Sequence, residues 1–230
     1  MTAVSSNAVM RGDCVSLMRE MPSSSVDLIL TDPPYLVNYR SRSGFTIRND
    51  DNDRWLAPAF AQAYRVLKPD SFCISFYGWN TVDRFVGAWR AAGFRIAGHL
   101  VFPKRYASSV RYLRRQHEQA YLLAKGDPSE PSDPAPDVID WRYTGNRLHP
   151  TEKPVEALKP LIRAFCKPAG LVLDPFCGSG STLVAAHSLG RRYLGCELDW
   201  QHYRTASRRL QRLAESEDCA NPVAVAGGQP

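Results

Sequence analysis

No stretch of this sequence approaches the roughly 20 consecutive apolar residues that a membrane-spanning helix needs, so no helical span is expected. Residues 1–7 have neither a basic start nor an apolar centre, so no secretory leader is expected and the protein is read as cytoplasmic. The six cysteines (Cys14, Cys73, Cys166, Cys177, Cys196 and Cys219) are scattered, with no close pair at zinc-ligand spacing. They are expected to be reduced thiols packed as small hydrophobes, with no metal. The sequence has no internal repeat. It also lacks both glycine signatures of phosphate-bearing cofactors. Its Gly-rich loop has no third glycine at dinucleotide spacing, and no Lys-Ser or Lys-Thr follows it as in a P-loop.

What remains is an alternation of short apolar runs and helical patterns. At 230 residues, one sizeable domain is expected rather than two. Strands are predicted at residues 26–31, 71–77, 94–102, 120–124 (with His117 and Glu118 opening that strand), 171–173 and 192–196. Helices are predicted at 55–67, 81–92, 154–165, 181–189 and from 200 to about 214. Residues 40–54 and 127–137 read as loops, the second rich in Pro, Ser and Asp. Such alternation predicts an α/β layer fold with a largely parallel sheet. The catalytic domain is expected over 1–215, with residues 104–147 as a basic insertion and linker, and 216–230 as a disordered tail.

Two loops carry chemistry. The apolar run 26–31 stops at Asp32-Pro33-Pro34-Tyr35. Prolines remove backbone donors and fix φ, so this loop is rigid and rich in acceptors beside a flat ring. Such a loop suits an amino group held by its hydrogens while its attached ring stacks on an aromatic face. Far downstream, Asp174-Pro175-Phe176-Cys177-Gly178-Ser179-Gly180 follows a second apolar run and opens a helix at Ser181-Thr182. Glycines there let a ligand approach the backbone at the carboxyl end of a strand, and Glu197 closes the next strand where an acid could hold a ribose diol. A Gly-rich turn with a solvated Glu would look the same in isolation; the pairing with Asp-Pro-Pro-Tyr favours a cofactor without a pyrophosphate.

With Gly12-Asp13-Cys14 and His149-Pro150-Thr151-Glu152-Lys153-Pro154, these segments make the chain resemble the β-class DNA amino-methyltransferases. The likeness covers most of the chain, and its five elements occur in that class's permuted order, with the catalytic loop before the Gly-rich loop and a variable basic segment between. It implies a Rossmann-like class I methyltransferase sheet with helices on both faces. The implied cofactor is S-adenosylmethionine, with no metal. By the same resemblance, Asp174, Phe176, Gly178 and Gly180, with Ser181 and Thr182 after them, line the methionine end of the cofactor. Glu197 accepts from its ribose, Asp13 and Cys14 read its adenine edge, and Thr151 and Lys153 sit by its carboxylate.

The Asp32 carboxylate and the Pro33 carbonyl are expected to hold both N–H bonds of an exocyclic amine, with Tyr35 stacked on a base flipped out of the duplex. Asp rather than Ser at the first position of the motif points to adenine N6, with cytosine N4 as the alternative. Asn-Pro-Pro-Tyr enzymes that methylate a protein glutamine, RNA methylation and a DNA-binding module without catalysis are the remaining readings. Lys104, Arg105, Arg111, Arg114 and Arg115, interleaved with Tyr106 and Tyr112, form the expected DNA-contacting segment, with Arg40 and Arg42 closing over the duplex. A solvated basic face would carry the same residues. The formal charge of +6 suits a polyanion. Because the variable segment is short, a homodimer is expected in which one subunit catalyses and the other adds DNA contacts. A cognate restriction enzyme cannot be read from the chain.

Overall fold

Val26–Thr31 (β2) is buried at every position, which suits a strand covered on both faces, and it occupies the middle of the sheet. The computed structural model describes residues 6–40, 44, 46–143, 145 and 152–220. Around β2 lie Ala8–Arg11 (β1), Leu67–Phe76 (β3), Arg95–Pro103 (β4), His117–Lys125 (β5), Leu171–Asp174 (β6) and Arg192–Glu197 (β7). The seven strands run in the order β1-β7-β6-β2-β3-β5-β4. Neighbours from β1 to β3 pair parallel, whereas β5 is antiparallel to both β3 and β4.

Strand β2 divides the core, its alternation interrupted by an irregularity between Val26 and Leu28. Val26 and Ile29 pack under Cys14–Glu20 (α1), Leu56–Val66 (α2) and Val82–Ala92 (α3). Leu28 and Leu30 face Val155–Phe165 (α4), Ser181–Ser188 (α5) and Trp200–Ala220 (α6) on the other side. The sheet is therefore sandwiched, as the alternation predicted.

The chain leaves β2 towards β3 and leaves β6 towards β7, in opposite directions across the sheet. The β2–β6 boundary is thus a topological switch point, where open α/β sheets form a crevice beyond the strands' carboxyl ends. Asp32 and Asp174 end the two strands that flank it.

Several boundaries differ from expectation. Strand β1 was not foreseen, because four residues at an edge give too short a pattern; it pairs Ala8 with Leu194 and Arg11 with Glu197. Strand β3 begins at Leu67 rather than Ser71 and runs through Pro69. A register shift against β2 and the left-handed Asp70 (φ +51°) absorb the proline. His117 and Glu118 do open β5 as expected, paired across the hairpin with Pro103 and Phe102 of β4. Helix α6 reaches Ala220, which corrects the disordered tail for residues 216–220; residues 221–230 lie outside the described residues.

Candidate active site

The Asp-Pro-Pro-Tyr loop is clamped from β3's side. Thr81 Oγ1 donates to the Tyr35 carbonyl at 2.8 Å, and a Cβ on Gly78 would lie 2.6 Å from that same oxygen. No side chain fits at position 78 without moving the loop. Beyond the motif, Leu36 and Asn38 adopt left-handed φ of +61° and +51°, a local strain that must be held by surrounding contacts. Asp50 supplies some of them, accepting from the backbone N–H of Val37 at 3.3 Å and Tyr39 at 2.6 Å.

Asp32 turns into a cleft shared with the Gly-rich loop and presents 21% of its side chain there. Its Oδ2 is ion-paired with Lys153 Nζ. Its Oδ1 and the Tyr35 hydroxyl are both buried with no hydrogen-bond partner among the described residues. Burial pushes the Asp32 carboxyl above its ordinary range; Lys153, with the Tyr35 hydroxyl close by, pulls it back. Burial, with Asp32 and Glu118 nearby, raises the Tyr35 phenol well above its usual value.

Across the crevice, Asp174 is buried and bonded at Oδ1 by Thr31 Oγ1 at 2.9 Å and by the Phe176 N–H at 3.1 Å. Burial lifts it to about 7, against the pull of its hydrogen bonds from Thr182, Phe176 and Thr31. The Gly178 N–H donates to Glu197 Oε2 at 2.9 Å and the Asp199 N–H to Oε1 at 2.7 Å, so the acid at the end of β7 is set by two backbone groups. Burial raises Glu197 as well. Asp13 caps α1 by accepting from the Ser16 N–H at 2.9 Å. Cys14 lies at the same end of the cleft, its thiol pushed up to about 12 by burial and by Asp13, so it is no nucleophile.

The cleft brings together Asp13, Cys14, Asp32, Pro33, Pro34, Tyr35, Lys153, Asp174, Phe176, Gly178, Ser181, Thr182 and Glu197 from widely separated segments. Gly180 is not among its walls. Its φ of +84° and its approach to Ala206 give it a packing role, since a Cβ would lie 3.1 Å from Ala206 Cβ. Thr151 lies outside the described residues. Lys153 is placed on Asp32, and its Nζ stands over the rings of Phe76 (5.0 Å), Tyr35 (5.4 Å) and Trp141 (6.0 Å).

The basic segment needs one correction. Lys104 is buried, its side chain 2% exposed and paired with Glu118 at 2.5 Å, so it cannot meet a phosphate. Tyr106 is half-buried against Tyr143. Arg105, Arg111, Tyr112, Arg114 and Arg115 are exposed, and Arg115 stacks 4.6 Å from the ring of Trp79, one residue past the Gly78 clamp. Arg40 is exposed; Arg42 lies outside the described residues. Arg48 pairs with Asp199 at 3.8 Å at the cleft.

Sequence reasoning missed Trp55, which packs edge-on against Phe176 at 4.9 Å, and the Glu152–Arg209 pair at 3.2 Å. An aromatic at a helix start was the only signal for the first. A charge pair 57 residues apart leaves none.

Solved structures share this fold. The M1.HpyAVI–SAM complex superposes with a TM-score of 0.70 at 21% identity, covering 88% of this chain and 98% of the other. The cytosine-N4-specific PvuII DNA methyltransferase gives 0.72 at 15%, covering 92% and 91%. The fold is that of a class I methyltransferase. The "DNA methylase" family model matches residues 26–208, and the chain belongs to that family. It is 57% identical over 222 residues to "Putative methylase YubD" of Escherichia coli (strain K12), covering 94% of this chain and 98% of that one. Against the type II methyltransferase M2.DpnII of Streptococcus pneumoniae the identity is 25%, covering 91% and 90%.

Proposed function

We propose that this DNA methyltransferase uses S-adenosylmethionine and methylates the N6 amino group of adenine, extruded from duplex DNA. The observation that carries the reading is Asp32: a carboxylate at the switch point, opening onto the cleft of the Gly-rich loop, with one buried oxygen that makes no well-formed hydrogen bond and has only the Tyr35 hydroxyl as a donor close by. A buried acceptor without a well-formed hydrogen bond costs about 1–3 kcal/mol, which a substrate N–H can relieve.

The cleft's charge supports the cofactor. Seven carboxylates (Asp13, Asp32, Asp50, Glu152, Asp174, Glu197 and Asp199) line it, of which Glu152 is paired with Arg209 and Asp174 is raised to about 7, against Arg48, Lys153 and His202. Arg48 and Lys153 are already paired with carboxylates. Such a surface repels phosphates and suits a ligand with cationic centres and a diol. Glu197, held by two backbone N–H groups, keeps lone pairs for ribose hydroxyls. Phe176 and the Gly178 backbone would flank the sulfur end, and Asp13 the adenine.

Bound there, S-adenosylmethionine supplies an electrophilic methyl group on a sulfonium. The chain's own part is positioning. Asp32 and the Pro33 carbonyl would accept the two amine hydrogens, freeing the nitrogen lone pair from conjugation with the ring. As the nitrogen becomes cationic, Asp32 offsets the charge and then accepts the proton. Tyr35 gives the base a ring to lie against.

Adenine rather than cytosine rests on Asp at the first position of the motif; the likeness to a cytosine-N4 enzyme is one of fold and does not choose the base. A methyl-transfer assay on duplex DNA followed by nucleoside analysis decides it. N6-methyladenine is expected, N4-methylcytosine would overturn the base assignment, and no transfer would overturn the activity. Asp32→Ala should lower transfer by about 10²–10⁴, the range of a lost proton acceptor, while cofactor still binds. We also infer a homodimer acting on DNA.

A further inference from the structure

The cation over Asp32 has no role in the reading above. Lys153 stands between Glu152, which is held by Arg209, and the start of α4, so its backbone is fixed from two sides. Its side chain is 8% exposed, and the Phe76, Tyr35 and Trp141 rings around the ammonium leave Asp32 as its anionic partner. An ammonium buried among rings loses hydration, and such a site is stable only with a paired anion. The same pairing ties down one oxygen of a side chain that otherwise rotates freely about two bonds. The resemblance placed this lysine on the cofactor's carboxylate; the geometry puts it on the acceptor.

We propose that Lys153 is a positioning residue for Asp32, locking the carboxylate in one rotamer as an anion ready to receive the substrate amine. It acts through Asp32 and touches neither reacting atom. The proposal rests on Asp32 being the acceptor for methyl transfer. The charged and titratable groups around this carboxylate are Lys153 beside it, Tyr35 in its own loop, Glu118 on β5 (neutralised by Lys104) and Asp174 on β6. Among these, Lys153 is the cation that offsets the burial disfavouring the anion. Without it, Asp32 should remain protonated to higher pH.

The test compares wild type with Lys153→Met and Lys153→Arg. The carboxyl ¹³C signal of Asp32, assigned by its loss in Asp32→Asn, is titrated in the protein without cofactor. Lys153→Met should move the midpoint upward, and Lys153→Arg should restore it towards wild type. Single-turnover methyl transfer at saturating cofactor should fall at least about tenfold at pH 7 in Lys153→Met and recover as pH rises, as for an acceptor that must be ionised. Cofactor affinity, measured by calorimetry, should change little. An unmoved Asp32 midpoint would overturn the proposal. So would a large loss of cofactor affinity with an unchanged saturated rate, which would place the lysine on the cofactor instead. Thermal melts confirm that each variant is folded; if Lys153→Met is not, Lys153→Gln takes its place. Absence of methyl transfer by the wild type would defeat the functional reading while leaving the Asp32 titration to judge the pair.

Discussion

Asp174 is the residue whose chemistry and stability are most opposed. In the fold it stays protonated up to about 7, whereas in the unfolded chain it ionises near 3.8. Between those values the folded state binds the extra proton, so stability is greatest at the acidic end and falls as pH rises through this window. At about 1.4 kcal/mol per pH unit, the penalty above neutrality is a few kcal/mol. Asp174→Asn keeps an acceptor for Thr31 and the Phe176 N–H but removes the titration. Urea unfolding at pH 5 and pH 8 should show a shallower pH dependence in the variant, not its abolition, because Glu197 is raised in the same sense. Equal slopes in both proteins would refute this account. Asp174 ionises here at the expense of the fold, which is expected where a buried carboxylate faces a cationic ligand.

Among the elements, α6 does more than cover the sheet. Arg209, in its third turn, donates to the Ser179 carbonyl at 3.3 Å and Ser181 Oγ at 3.2 Å, and pairs with Glu152, whose side chain is 6% exposed. One guanidinium thus joins the Gly-rich loop to the segment carrying Lys153. Arg209→Ala leaves Glu152 buried without its partner, so a loss of about 3 kcal/mol is expected by chemical denaturation. Glu152→Gln in the same background should recover part of it. If the double variant is no more stable than Arg209→Ala, the cost lies elsewhere. The basic hairpin between β4 and β5 divides similarly by element: Lys104 belongs to the core's polar edge, and the tip beyond it is exposed.

For the whole molecule, the cleft is acidic although the chain is basic, so the positive charge must lie outside the cofactor site. The exposed Arg111, Arg114 and Arg115 are part of it, on the side of the Asp-Pro-Pro-Tyr loop marked by Trp79. Replacing all three by Ala should weaken DNA binding and flatten the plot of log K against log salt by about 0.9 for each phosphate no longer neutralised. Cofactor affinity should be unaffected. Sedimentation of the same complexes reports stoichiometry: two protomers per duplex are expected, and one monomeric protomer per duplex would refute the dimer. An unaltered salt slope would remove these arginines from the interface.

The sequence by itself determined the layer class, the central strand and the two loops. Those signals are local: an all-apolar run ending at Asp-Pro-Pro-Tyr, and a short strand ending at Asp174 before glycines. Periodicity also reported most helices, because an amphipathic stripe is written in neighbouring residues. Tertiary structure alone decided the rest. Edge strand β1 exists because its partner strand β7 supplies ladder bonds. Gly180 packs closely against Ala206, and Lys104 is buried in a pair with Glu118. Lys153 faces Asp32 across 121 positions of sequence. Which charge answers which is set by burial and distance between elements far apart in the chain, and no local pattern encodes either.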